Sequence, residues 1–229
     1  MVFLSFNSAI TAPEEVVDEQ DDNDQAELPS HLPLRYRWIM WEQIQGSGGK
    51  TIQYSESVRQ IASCDTVEAF WKTWVQLPQP SELLSQRMVL NVSDGFHIID
   101  ALMVFRDGIT PQWEDEANAD GGHLQFSFKA STGGGQIDEY WNNLVLGVIG
   151  GTIEPADMIT GLRLVDKLSG GRGAGMLRME VWFSGHPSSK DAQQLQFNVE
   201  RCIATRTLEG RIGPVPKLEV KNHKLTRHQ

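Results

Sequence analysis

The chain has 229 residues, 40% of them hydrophobic and 22% charged, with a formal net charge of −10. That length supports one well-packed domain with tails or two small domains, and no apolar run reaches membrane-spanning length. The charge is local: residues 1–30 carry eight acidic side chains and no Lys or Arg, leaving 20 basic against 22 acidic residues, or −2, for the rest. A near-neutral body argues against long, sequence-independent tracking of a phosphate backbone, but not against a small pocket with a few local cations.

Residues 1–30 read as a disordered acidic arm, residues 31–221 as the folded domain and residues 222–229 as a short basic tail. The first residues, Met1 to Phe6, have no basic region and soon turn acidic, so no secretory signal is expected. The sequon Asn91-Val92-Ser93 then carries no weight. Cys64 and Cys202 offer neither a disulfide framework nor a metal-ligand spacing, and two reduced thiols are expected.

Arg35 to Glu42 alternates around Tyr36, Trp38 and Met40 and predicts a strand. Gly46 to Thr51 resembles the end of a phosphate-binding loop, but the first glycine of that motif would fall on Ile44, so a plain connection is expected. Asp65-Thr66-Val67-Glu68 has the form of a capping box and predicts a helix through Leu77, stopped by Pro78. On it Phe70 and Trp74 can face a core, while Val67 and Trp71 make an adjacent apolar stripe.

Residues 78–95 read as loop, and Phe96 to Phe105 as a strand closing at the Arg106-Asp107-Gly108 turn. His123 to Lys129 is another strand, broken by Gly133-Gly134-Gly135. Ile137 to Ile149 reads as a helix burying Tyr140, Trp141, Leu144, Val145 and Val148. Leu162–Lys167 and Met176–Trp182 form a glycine-rich hairpin without a dinucleotide fingerprint. A helix over 190–205 and a strand over 216–221 complete the pattern. The predicted fold is α+β: one curved, mostly antiparallel sheet with about three helices on its convex face, leaving the other face free for a ligand.

Chemistry concentrates in Pro111-Gln112-Trp113-Glu114-Asp115-Glu116. Burying Trp113 in an apolar core would strand its charged neighbours. A flat indole beside an ionised acid instead suits a flat, cationic heterocycle with N–H donors: the ring stacks on the cation and the acid accepts the donors. Trp38, Trp41 and Trp182 also stand beside polar residues near strand ends, with core packing the simpler reading for Trp38 and Trp41.

The set Arg37-Trp38-x-x-Trp41, Asp65-Thr66-Val67-Glu68-x-Phe70-Trp71, Phe105-x-Asp107-Gly108-Ile109-x-Pro111-x-Trp113-Glu114-Asp115-Glu116-x-Asn118, Gly121-Gly122, Tyr140-Trp141 and Pro216-Lys217 resembles eukaryotic translation initiation factor 4E, from about Leu32 to Val220. The resemblance implies a binder of the 7-methylguanosine cap of messenger RNA, not an enzyme, needing no cofactor and acting in the cytoplasm with a nuclear pool open. It implies that Tyr54 and Trp113 sandwich the base, that Glu114 takes its N1 and N2 protons, and that Trp182 packs on the methyl group. Lys167, Arg172 and Arg178 would hold the phosphates.

The family usually has tryptophan at the first ring. Counting back from Asp65 without gaps gives Tyr54, whereas a shift to match Lys50-Thr51 gives Ile52, which cannot stack. Pro33, Val67 and Trp71 match the contacts for partner helices of the Tyr-x-x-x-x-Leu-hydrophobic type, carried by the scaffold initiation factor 4G or by a 4E-binding protein. Leu32 and Asn142-Asn143 depart from the family pattern there, so a repressor or storage form is an alternative to an initiation factor. A Mg²⁺-dependent hydrolase using Glu114, Asp115 and Glu116 is a remote third reading.

Overall fold

A computed structural model describes residues 31–45, 53–92, 95–168, 175–204 and 213–226. Ile52, Arg172 and the acidic arm lie outside the described residues. Chain order is β1 (Pro33–Ile44), α1 (Tyr54–Ser57), β2 (Val58–Thr66), α2 (Val67–Trp74), β3 (Met88–Val92), β4 (Gly95–Arg106), α3 (Glu116–Ala119) and β5 (Gly122–Lys129). It continues with α4 (Gly134–Ile149), β6 (Ile159–Lys167), β7 (Met176–Phe183), α5 (Lys190–Ile203), β8 (Leu218–Asn222) and α6 (His223–Thr226).

The strands form one curved sheet in the order β2-β1-β4-β6-β7-β5-β8, with β3 paired to β4 and every pairing antiparallel. Period-two alternation gives this sheet two different faces. One face carries Trp38, Met40, Val104, Leu162, Leu164, Met179, Val181, Leu124 and Phe126 and packs on α2, α4 and α5. Phe70 and Trp74 of α2 stack at 5.5 Å, Trp74 meets Trp141 of α4 at 6.1 Å, and Phe128 stacks on Tyr140 at 5.3 Å. The expected buried stripes of both helices are therefore the core.

The other face has a small cluster of its own: Ala101, Met103, Phe105, Val165 and Trp182, flanked by Trp41, Val58, Ile109 and Trp113. Trp38 is core, whereas Trp41, three residues on, packs on this second face. Gly161 has a packing role here. A Cβ at this position would lie 2.4 Å from the Phe105 ring, which packs edge-on against Trp182 at 5.4 Å. Gly161→Ala should therefore push Phe105 and Trp182 apart and cost about 1–3 kcal/mol, as overpacking does; urea unfolding measures it, and unchanged stability would refute this role.

Four local expectations change. The α2 cap is Thr66, whose hydroxyl accepts from the Ala69 amide at 3.2 Å, because Asp65 lies inside strand β2; Glu68 instead receives the Leu32 amide at 3.2 Å. The helix ends at Trp74, and tighter turns carry the chain to Leu77. Within 78–95, read as loop, Met88–Val92 pairs along β4, and Arg87 forms ion pairs with Asp100 at 2.8 Å and Asp166 at 3.6 Å. Residues 223–226 of the supposed tail form α6, with His223 fully buried.

Candidate functional site

The loop after β4 is held by side chains that the sequence left without roles. Gly108 takes φ 84° at its turn, and the Ile109 amide donates to the Arg106 carbonyl at 3.1 Å. Asp115 accepts from the Thr110 amide and hydroxyl, both at 2.7 Å, and caps α3 through the Ala117 amide at 3.0 Å. Asn118, fully buried, donates to the carbonyls of Thr110 and Gln112, both at 2.9 Å. The 110–113 backbone is thus held from two sides, which fixes Trp113 half-buried and Glu114 exposed. Asp115 spends both oxygens on this frame, so the three consecutive acids do not act as one donor set.

Beside this loop is a cleft of about 390 Å³ lined by Tyr54, Pro111, Gln112, Trp113, Glu114, Arg163, Arg178 and Trp182. Five side chains read from the sequence, Tyr54, Trp113, Glu114, Arg178 and Trp182, share it from three separate stretches of the chain. Tyr54 stands on α1 and donates its hydroxyl to the Pro111 carbonyl, which ties the ring to the opposite wall. Trp182 is 1% exposed and forms the floor; its indole N–H donates to Glu180 at 3.0 Å. Lys167 lies two residues beyond Val165 on the same face of β6, at the hairpin end, and does not line the cleft.

Arg163 and Glu180 were missed. They face each other across β6 and β7, and their ion pair measures 3.3 Å. Arg163 also donates to Gln43 at 3.0 Å and lies 5.4 Å over the Trp182 ring. Arg178 reaches the other Glu180 oxygen at 3.6 Å. Burial alone would raise the Glu180 pKa, but Arg163, then His123 and Arg178, outweigh it and hold the carboxylate below its usual range. His123, by contrast, is pushed down to about 4, chiefly by burial, and stays neutral near pH 7. Two guanidinium groups against one carboxylate leave the inner wall of the cleft with an excess positive charge, and the buried Nε atoms of both arginines have no hydrogen-bond partner among the described residues. Such a wall favours an anionic group. Cross-strand register was the signal that could have revealed Arg163, but it requires the hairpin alignment in advance.

On the helical side Pro33 is exposed at the start of β1, and the Val67 amide donates to the Leu32 carbonyl at 2.9 Å, bringing Pro33 and Val67 together. Trp71, one turn on, is 42% exposed and rests edge-on against Phe70. Asn142 donates to Gln79 at 2.9 Å and to the Asp138 carbonyl at 2.8 Å, whereas Asn143 leans toward the end of α5, 3.5 Å from the Ile203 carbonyl. Pro33, Val67 and Trp71 therefore share one surface, and the two asparagines serve contacts within the chain.

The sequence profile described as Eukaryotic initiation factor 4E matches residues 33–212. Eukaryotic translation initiation factor 4E of Saccharomyces cerevisiae is 34% identical over 135 residues, 59% of this chain and 56% of that protein. Eukaryotic translation initiation factor NCBP of Triticum aestivum is 29% identical over 161 residues, 67% of this chain and 62% of that protein. These matches span less than two thirds of the relatives' own length. Among solved structures, C. elegans eIF4E-3 with the 4E-binding protein Mextli and cap analog superposes with a TM-score of 0.63 at 20% identity, covering 87% of this chain and 97% of that one. Schistosome eIF4E complexed with m7GpppG and 4E-BP gives 0.64 at 18% identity, covering 87% and 93%. By the extent of the profile match, the chain belongs to the eukaryotic initiation factor 4E family.

Proposed function

We propose that this chain binds the 7-methylguanosine end of capped messenger RNA without chemical turnover and delivers it to translation initiation. Tyr54 and Trp113 take the base between them, Glu114 accepts its N1 and N2 protons, and Trp182 forms the floor against the methyl group. Arg178 and Lys167 meet the triphosphate, Arg172 is the third cation expected there from the sequence, and Arg163 adds a cation on the inner wall. Methylation at N7 makes the base cationic, which strengthens stacking on the rings and sharpens N1–H as a donor. The observation that carries this reading is the single cleft that gathers Tyr54, Trp113, Glu114, Arg178 and Trp182.

On the opposite side, Pro33, Val67 and Trp71 offer an apolar strip for an amphipathic helix of initiation factor 4G or of a 4E-binding protein. A repressor reading is favoured by one observation: Asn142, which with Asn143 stands where the family has a leucine and a glutamate, is held within the chain by Gln79.

Titration of tryptophan fluorescence tests the main reading. Addition of 7-methylguanosine triphosphate should quench emission saturably, with an affinity about tenfold or more above that for guanosine triphosphate, the value of one desolvated cation–π contact. Equal quenching by the two nucleotides would refute it.

A further inference from the structure

Trp113 and Trp182, the wall and floor of the cleft, come from a loop and a strand far apart in sequence, and one side chain stands against both. His223, the first residue of α6, is 0% exposed; its ring lies 4.5 Å from the Trp182 ring and 6.1 Å, nearly parallel, from that of Trp113. The matched family profile ends at residue 212, so nothing in that resemblance assigns a role to this position.

The ring is held at both nitrogens and through the backbone. Nδ1 is 2.7 Å from the Asn118 carbonyl oxygen, Nε2 is 3.1 Å from Nδ1 of His123, and the backbone amide donates to the Gly121 carbonyl at 3.2 Å. A carbonyl can only accept, so His223 Nδ1 carries the hydrogen. Nε2 and the His123 Nδ1 share one hydrogen, with donor and acceptor set by the tautomers of the two rings. His123 in turn stacks on Trp182 at 5.6 Å, and Asn118 is the residue that lashes the Trp113 loop. The chain Trp113 loop–Asn118–His223–His123–Trp182 is therefore continuous.

We infer that His223 is a positioning residue for the cleft, setting the spacing between Trp113 and Trp182 and through it the discrimination in favour of a methylated, cationic purine. This rests on the cap-binding reading above. Stacking depends steeply on ring separation and offset, so a loosened Trp113 would lose the contact that methylation strengthens, while hydrogen bonds donated by the base edge to Glu114 would survive in part. A merely structural His223 would change stability and leave the ratio of the two affinities alone.

The test compares the full chain with H223A and H223F by fluorescence titration with 7-methylguanosine triphosphate and with guanosine triphosphate. Near-ultraviolet circular dichroism of the ligand-free proteins supplies a readout that needs no ligand. H223A should lower the methylated-to-unmethylated affinity ratio about tenfold and change the tryptophan dichroism. H223F, which keeps a ring of similar size without the hydrogen bonds, should recover at least half of that loss on a logarithmic scale. An unchanged ratio in folded H223A, or folded H223F no better than H223A, overturns the assignment. If H223A does not fold, H223F decides alone: its ratio should lie within about threefold of the parent, and a larger drop overturns it. Should the parent chain itself fail to discriminate, the cap reading falls instead, and the dichroism still reports whether His223 holds the two indoles.

Discussion

Trp113→Ala should lower affinity for 7-methylguanosine triphosphate by about 1.5–5 kcal/mol, on the order of a hundredfold in mid-range, and abolish retention on a resin carrying that ligand. The estimate adds a base–aromatic stack of about 1–3 kcal/mol to a cation–π term of about 0.5–2 kcal/mol. The fold should survive, because Trp113 is half-buried on the small second cluster and its loop is held by Asp115 and Asn118 rather than by the indole. Glu114→Ala should act as strongly by a different route. Its carboxylate is exposed in the free protein, so removing it costs the fold little, while two charge-assisted hydrogen bonds to the base disappear at about 1.5–3 kcal/mol each. Tyr54→Ala should cost less, about 1 kcal/mol, since a phenol offers less stacking area than an indole. Retention of either the Trp113 or the Glu114 variant on the resin would remove the basis for the assignment.

Much of this arrangement was legible in the sequence for identifiable reasons. Strands β1 and β5 alternate, β4 ends in a continuous apolar run, and the apolar stripes of α2 and α4 name the core residues correctly. The Trp113-Glu114 pair announced itself through a mismatch, an indole among acids, and the cleft does open beside it. What stayed hidden depended on partners distant in sequence. Val58–Thr66 has polar residues at most of its exposed positions and becomes β2 only because β1 offers it an edge. Met88–Val92 was masked by the prolines before it, and its pairing with β4 is what defines it. Arg163 and Glu180 look like two ordinary strand charges until the hairpin register sets them opposite each other. His223 was counted with the basic tail, although Asn118 and His123, over a hundred and exactly a hundred residues earlier, bury it.

Glu180→Gln is expected to destabilise the protein by about 3–5 kcal/mol, the usual cost of removing one partner from a buried ion pair. The substitution is nearly isosteric and leaves an amide oxygen to accept from the Trp182 indole, so the loss reports charge and not a cavity. The carboxylate is 2% exposed and is the ion-pair partner of both guanidinium groups, Arg163 at 3.3 Å and Arg178 at 3.6 Å. Without it both cations remain partly buried, with their Nε atoms already lacking partners among the described residues. The pH dependence gives the sign. Glu180 titrates below its ordinary value of 4.5 in the folded state, so its contribution is fully present above that pH and is lost as pH falls through the lowered value. Urea unfolding should therefore show the full gap between parent and variant at pH 7 and a narrowing gap below about pH 4.5. A triphosphate bound at the same wall supplies the missing negative charge, so 7-methylguanosine triphosphate should stabilise the variant more than it stabilises the parent. A variant as stable as the parent at pH 7 would mean that the two arginines do not depend on Glu180, and the inner wall would no longer be a cationic site shaped by one carboxylate.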